Sequence, residues 1–364
     1  MGTRPQIIKS ASIVNAVQRK PGIDLLIVHT GQHYDYEMSK AFFDEMKLPS
    51  PDVNLNVGSG THGWQTAEIM KRLERVIQSM DPRCVLFPGD TNSALAAAVV
   101  AAKLGVPAAH LEAGARSYDM TMPEEINRVL ADHSSSLLFA PTGNCWHNLR
   151  REGIPRARIL LTGDTHYDAF VGQAAKILDD RVLKKFQVEG RFVYVTVHRP
   201  ENVDNPNALR LIVNALLKLR DFQVVFSVHP RTKSMLRRIG MLRRLRVSRK
   251  VAMWSPVTYL QSLSLAWRSS VVITDSGGLQ REAFWLGTPC VVLRRTTEWP
   301  ETLRMRSTLL APPATTNLVS KVQEASRLGS VTKRKVLPVA SPSLGFGDGQ
   351  ASDKVLAALR QRYM

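Results

Sequence analysis

The sequence predicts an α/β protein built of two α/β domains facing each other across a cleft. Three observations lead there. Strand-like and helical segments alternate almost throughout, as parallel sheets covered on both faces require. A chain of 364 residues is long for one core and comfortable for two domains. Four strand-like runs also end in small polar clusters. Arg83–Phe87 runs into Pro88-Gly89-Asp90-Thr91, and Ala108–Leu111 into Glu112-Ala113-Gly114. Phe192–Val197 runs into His198-Arg199-Pro200-Glu201, and Val271–Asp275 into Ser276-Gly277-Gly278. Ligands of open α/β sheets bind outside the carboxyl ends of the strands, so these clusters imply one shared cleft.

The elements follow in order. Gly2-Thr3-Arg4-Pro5 reads as the turn after a first strand, with a helix from Gln6 to Gln18 behind it. No strand precedes that turn, so the first strand of domain 1 is expected to be missing. In a doubly wound sheet that strand is usually central, and its loss would leave neighbouring backbone groups unpaired. Leu25–His29 is a short β-rich run. Thr66–Met80 is a helix, with Ala67, Met70, Leu73 and Ile77 on one face. Arg83–Phe87 is a strand, Asn92–Leu104 an alanine-rich helix and Ala108–Leu111 a strand. Pro123–His133 opens with Pro-Glu-Glu, favourable chemistry for a first helical turn. Strands follow at Phe192–Val197, Val224–Val228, Val271–Asp275 and Cys290–Leu293, with helices at Ala208–Leu219 and Leu279–Leu286.

A boundary fits best at Thr162-Gly163-Asp164, after a short strand and before a new helical series. It gives an N-terminal domain over 1–163, a C-terminal nucleotide-binding domain over 164–345, and a tail over 346–364. The tail reads as a helix from Ser352 to Tyr363 that packs back on the first domain, with Gly345–Gly349 as a flexible lead-in.

Composition narrows the partners. No run approaches the ~18 apolar residues of a membrane span, and the start has no apolar stretch of a signal peptide. Cys84, Cys145 and Cys290 are few and far apart, which suits a reducing cytoplasm and offers no zinc spacing. Cys84 and Cys290 lie in apolar strands as small buried residues. The net charge of +18 admits nucleic acid, an anionic membrane or a small anionic ligand. Nine Lys/Arg and no acid lie between Arg231 and Lys250. That stretch has no interleaved aromatics and no nucleic-acid motif. It reads as a solvated helix face, and nucleic acid is not an expected partner.

Each motif has a plain structural reading beside the chemical one. Gly58-Ser59-Gly60-Thr61-His62-Gly63 fits G-x-G-x-x-G, but no βαβ unit frames it, so it reads as a glycine loop. His29 and His33 straddle a strand end and do not form a metal pair. Asp90-Thr91 before a helix is by default an N-cap. Glu112 is harder to dismiss, because a carboxylate ending an apolar strand needs a partner or a role. Glu124 and Glu125 are helix-start acids. His198 with Arg199 suits proton transfer beside an anion. Asp275-Ser276-Gly277-Gly278 is the most specific. Two glycines let backbone N–H groups approach a phosphate at a helix N-terminus, and Glu282, one turn on, could hold a ribose.

Taken together these segments are far more specific than any one of them. Gly2-Thr3-Arg4-Pro5, His29-Thr30-Gly31-Gln32-His33, Gly89-Asp90-Thr91-Asn92 and His110-Leu111-Glu112-Ala113-Gly114 resemble the non-hydrolysing UDP-N-acetylglucosamine 2-epimerases. So do Pro123-Glu124-Glu125-Ile126-Asn127-Arg128, His198-Arg199-Pro200-Glu201-Asn202, His229-Pro230-Arg231-Thr232, Asp275-Ser276-Gly277-Gly278 and Gly347-Asp348-Gly349. The resemblance implies a GT-B-like pair of Rossmann-like domains, a homodimer, and interconversion of UDP-GlcNAc and UDP-ManNAc without redox cofactor or metal. It carries Asp90, Glu112, Glu124 and His198 over as the catalytic set. It carries Arg4, Lys9, Ser276, Gly277, Gly278 and Glu282 over as nucleotide-binding positions.

Four departures stand out. Gln6 replaces a common glutamate, as in relatives acting on a UDP-diacetamido-glucuronate, which makes such an epimerase the first alternative. Ser262 replaces an aromatic and Trp299 a nucleotide-binding arginine, which bears on the uridine pocket; Arg304-Met305-Arg306 also departs from the pattern. A GT-B glycosyltransferase or an inactive nucleotide-sugar binder on the same architecture is the second alternative.

Overall fold

The structure, a computed structural model, describes residues 1–20, 22–31, 42–178, 185–186, 188, 190–304, 307–313, 316–332 and 345–363. His33 and Arg306 lie outside them. The chain divides into two compact units, Met1–Gly172 with Val339–Met364, and Gln173–Pro338. The division falls beyond the Gly163–Asp164 boundary expected from sequence. Asp164 N–H donates to the Phe346 carbonyl at 2.9 Å. Asp168 accepts from the Ala351 and Ser352 N–H groups at 3.1 and 2.7 Å. These bonds keep the start of the helix Thr165–Gln173 with the first unit.

Among the described residues of the first unit every strand pairing is parallel. β1 (Val28–His29) pairs with β2 (Val53–Asn54), and β3 (Val85–Pro88), β4 (Ala108–Leu111), β5 (Leu137–Ala140) and β6 (Ile159–Leu161) form a sheet in that order. β4 and β5 are buried on both faces, as central parallel strands are, and β5 reads as a continuous apolar run. β1 is shorter than the Leu25–His29 run expected. Leu25 and Leu26 are exposed, and the Ile27 N–H turns to the Asp52 carboxylate at 2.7 Å. Beside β1, the Thr30 N–H donates to the Met1 carbonyl at 2.8 Å.

The first helix, Arg4–Arg19, starts earlier than expected because Pro5 sits comfortably in its first turn. Its Ile13 and Ala16 meet Val355, Leu356 and Leu359 of the helix Ala351–Tyr363 over Leu111, Leu137 and Phe139. The helices His62–Met80, Asn92–Lys103 and Pro123–Ser134 cover the other side through Ile69, Leu73, Ala94, Ala98 and Ala131.

Gly114, just past β4, has φ +83°, and a Cβ there would overlap the backbone carbonyl of Cys145. Backbone cannot yield as a side chain can. Gly114→Ala is therefore expected to destabilise the first unit by about 3 kcal/mol, read as a lowered urea midpoint.

The second unit carries a six-stranded parallel sheet in the order β12-β11-β10-β7-β8-β9. Its strands are β7 (Phe192–Val197), β8 (Gln223–Val228), β9 (Val251–Trp254), β10 (Val271–Thr274), β11 (Cys290–Val292) and β12 (Thr308–Leu310). Two halves run outward from β7 and β10, so the order reverses between these neighbours, where doubly wound sheets open a crevice. The helix Pro206–Lys218 is set by an Asn205 side chain that accepts from the Asn207 and Ala208 N–H groups. Its Leu209, Ile212, Val213 and Leu216 fall on one face and enter the core.

The basic stretch forms the helices Pro230–Arg238 and Met241–Val247. They bury Met235, Leu236, Leu242 and Leu245 and turn their cations to solvent. No helix among the described residues is long and apolar enough to cross a membrane.

Candidate active site

In the first unit the register of β3 on β4, Pro88 against Leu111, brings the Gly89-Asp90 turn beside Glu112. Glu112 adopts φ +68°, a left-handed backbone that a side chain of this size rarely accepts. Such strain is retained where neighbouring structure enforces it, and it clusters at functional sites. The Glu112 side chain is held by Lys9, whose Nζ donates to Glu112 Oε1 at 2.6 Å with both side chains buried. A Cβ on Gly89 would lie 2.9 Å from Lys9 Nζ, so the ammonium fills the space over that glycine. Lys9, expected to hold the nucleotide, is thus placed on Glu112, expected from the resemblance to be catalytic.

Asp90 does not cap the helix behind it, where Thr91 takes the cap position without a side-chain bond. The Asp90 carboxylate instead accepts from Arg128 Nη1 at 2.5 Å, and its carbonyl from the Asn127 amide at 3.0 Å. Arg128 is held in turn by Glu125, three residues back on the helix, at 2.9 and 2.7 Å. Glu125 also accepts from the Ser117 and Tyr118 N–H groups at 3.0 and 2.8 Å. Burial raises the Glu125 carboxyl, but Arg128 and these bonds outweigh it and bring the group below its ordinary value. Glu125 therefore fastens a loop, while Glu124 stands half-buried in the same first turn. Arg4 lies at the start of its helix with its guanidinium 4.5 Å from the Phe42 ring.

In the second unit the two strand ends at the order reversal meet. Asp275, fully buried after β10, accepts from the His198 and Arg199 N–H groups at 3.1 and 3.0 Å and from the Asn202 amide at 3.0 Å. His198 Nδ1 lies 3.1 Å from the same carboxylate. Burial pushes the Asp275 carboxyl up, but the His198 charge and these bonds prevail and hold it at about 2. A carboxylate on Nδ1 fixes the imidazole so that Nε2 is turned away from it, the arrangement of a positioned general acid or base.

Ser276 caps the adjacent helix Gly277–Trp285, its hydroxyl accepting from the Leu279 N–H at 3.3 Å. A Cβ on Gly277 would overlap the Glu298 carboxylate, which Arg294 holds at 2.5 Å. Only glycine lets these groups crowd the helix start. Gly278 follows in the first turn and Glu282 is buried one turn on. Among the described residues no group of His, Cys, Asp and Glu could hold a metal ion.

Three of the four departures noted in the sequence fall on described residues with visible contacts, while Met305 and Arg306 of the fourth lie outside the described residues. Gln6 is buried, accepts from the Gly2 N–H at 2.8 Å and donates to the Pro88 carbonyl at 2.9 Å. An amide suits one donor and one acceptor, and a glutamate oxygen would repel that carbonyl. Gln6 is thus explained by the turn it closes. Ser262 is buried and accepts from the Tyr194 hydroxyl at 3.1 Å. Trp299 is buried with its ring 3.9 Å from the Arg281 guanidinium.

Sequence reasoning missed Arg128 and the anchoring role of Asp275. The i, i+3 spacing of Glu125 and Arg128 on one helix was the available signal for the first. A carboxylate directly before Ser-Gly-Gly was the signal for the second.

Known proteins agree with this geometry along nearly the whole chain. The family described as UDP-N-acetylglucosamine 2-epimerase matches residues 15–360. A UDP-N-acetylglucosamine 2-epimerase of Methanocaldococcus jannaschii is 41% identical over 99% of this chain and 97% of its own. A UDP-2,3-diacetamido-2,3-dideoxy-D-glucuronate 2-epimerase of Pseudomonas aeruginosa is 39% identical over 98% and 96%. The crystal structure of a Methanocaldococcus jannaschii UDP-GlcNAc 2-epimerase with UDP-GlcNAc and UDP superposes with a TM-score of 0.90. It is 40% identical and covers 99% of this chain and 98% of that one. With matches of that length and identity, the chain belongs to the UDP-N-acetylglucosamine 2-epimerase family.

Proposed function

We propose that this protein interconverts UDP-GlcNAc and UDP-ManNAc by eliminating and re-adding UDP. The observation that carries the reading lies in the second unit. His198, oriented by a buried Asp275, shares one strand-end crevice with the Ser276–Gly278 helix start. An acid/base group beside a ready-made diphosphate site is what breaking a sugar–diphosphate bond requires.

Loss of the C2 proton accompanies departure of UDP from C1 and leaves a 2-acetamidoglucal. Re-addition of UDP with protonation on the opposite face gives the epimer. Groups on both faces of C2 are needed, because one base returns its proton to the side it came from. Asp90, Glu112 and Glu124 are the carboxylates proposed for this set and His198 its imidazole, and Lys9 orients Glu112. Ser276, Gly277 and Gly278 receive the leaving diphosphate, Glu282 the ribose, and Arg4 adds positive charge. The reaction calls on no redox cofactor or metal.

The setting proposed is the cytoplasm, where UDP-sugars are made, with ManNAc passing to a surface polysaccharide. A homodimer is supported by Trp64, Ile126 and Leu130, large apolar side chains exposed on two helices of the first unit. Nucleic acid is not part of this reading, since the cations of 231–250 carry no interleaved aromatics.

Incubation of the pure protein with UDP-GlcNAc should yield UDP-ManNAc by NMR, with deuterium entering C2 in D2O. Absence of both would overturn the proposal. A competition with the diacetamido-glucuronate nucleotide should show preference for UDP-GlcNAc.

A further inference from the structure

His110 lies in β4, fully buried, two residues before Glu112. Its Nδ1 is 2.7 Å from Asp132 Oδ1 and its Nε2 is 2.8 Å from the Gly89 carbonyl oxygen. Both partners can only accept. A neutral imidazole carries one N–H, so one of these contacts would set a ring lone pair against an oxygen in a site closed to water. We infer that His110 is held as a doubly protonated imidazolium and is a positioning residue that ties together the turns bearing Asp90 and Glu112.

The surroundings supply the countercharge. The second oxygen of Asp132 accepts from the Gly114 N–H at 3.0 Å and from Arg116 Nη1 at 2.7 Å. Arg116 also grips Glu152 with two bonds of 2.8 Å. Two cations and two anions thus balance, the condition under which buried charge is tolerated. Burial raises the Asp132 carboxyl, but His110 and then Arg116 outweigh it and hold the group below its ordinary value. Phe87 stacks on the imidazole at 4.9 Å and fixes its plane.

The bridge has two ends. One is the carbonyl immediately before Asp90; the other, through Asp132, is the N–H two residues after Glu112. Glu112 has a left-handed φ that its side chain disfavours, so the turn after β4 does not hold its shape by local preference. The imidazolium supplies the restraint that backbone preference does not.

The positioning role rests on the epimerase reading; the charge state does not. Ring-nitrogen NMR of the 15N-histidine-labelled full chain at neutral pH should show both His110 nitrogens protonated, assigned by loss of the signals in His110→Gln. One protonated and one bare nitrogen would overturn the charge state. The same variant should lose about 100-fold in kcat while KM for UDP-GlcNAc stays within about threefold. His110→Phe, which keeps the stacking but neither bond, should behave alike. An unchanged kcat, or a loss confined to KM, would overturn the positioning role. Wild-type protein lacking epimerase activity would instead remove the functional reading and the positioning role with it, and the wild-type spectrum would still decide the charge state.

Discussion

Replacing His198 by alanine is expected to slow conversion of UDP-GlcNAc to UDP-ManNAc by about a thousandfold in kcat, within the usual range for a positioned acid/base group. The fold should survive, because the side chain is 43% exposed and its contacts are the Nδ1 bond to Asp275 and a tilted ring contact with His229. KM should move little, since the Ser276–Gly278 helix start keeps its own cap. The measurement is the rate of UDP-ManNAc appearance by NMR, with deuterium at C2 followed in the same tubes. Deuterium uptake that persists without product would assign His198 to the second proton transfer. Turnover within tenfold of wild type would exclude it from the chemistry.

Asp275→Asn should cost both stability and activity. Four donors from the 198–202 loop converge on that carboxylate, and an amide turns one of its own donors toward them. Breaking a buried charged partnership of this kind costs about 3 to 5 kcal/mol. Activity should fall at least as far as in His198→Ala, because the imidazole loses its orientation along with the loop.

Acid should narrow the stability difference. The Asp275 carboxyl is held at about 2 in the folded protein against an ordinary 3.8. A depressed carboxylate contributes its stabilisation fully above the unfolded value and loses it as the pH falls through the folded one. That contribution is roughly 2 kcal/mol. Urea denaturation should therefore show the gap between wild type and variant shrinking from pH 5 toward pH 2. A gap independent of pH would contradict the assignment.

Much of the fold was legible because parallel strands buried on both faces write themselves as apolar runs. β4 and β7 lie where Ala108–Leu111 and Phe192–Val197 predict them. Helix starts shifted by a few residues, as at Pro206 and Gly277, where the first turn carries no apolar periodicity to read. β1 was overestimated because Leu25 and Leu26 have strand propensity but no partner ladder. Strand-end chemistry was visible in Asp90, Glu112, His198 and Ser276 because polar residues interrupt apolar runs there.

What the sequence could not show is pairing across the fold. Lys9, expected from the resemblance at the nucleotide, is met in the fold by Glu112, 103 positions later. His110 reads as one polar residue in a strand until Gly89 and Asp132 close on both its nitrogens. Those contacts are properties of register, and register is set by the whole sheet.

The helix Ala351–Tyr363 has a consequence for how the protein is made. Its Val355, Leu356 and Leu359 complete an apolar face begun by Ile13 and Ala16, yet the entire second unit is encoded between them. On the ribosome, the second unit has all its strands before the first has its closing helix. The earlier-synthesised half therefore waits with an open hydrophobic seam while the later half matures, a window in which chaperone protection matters most.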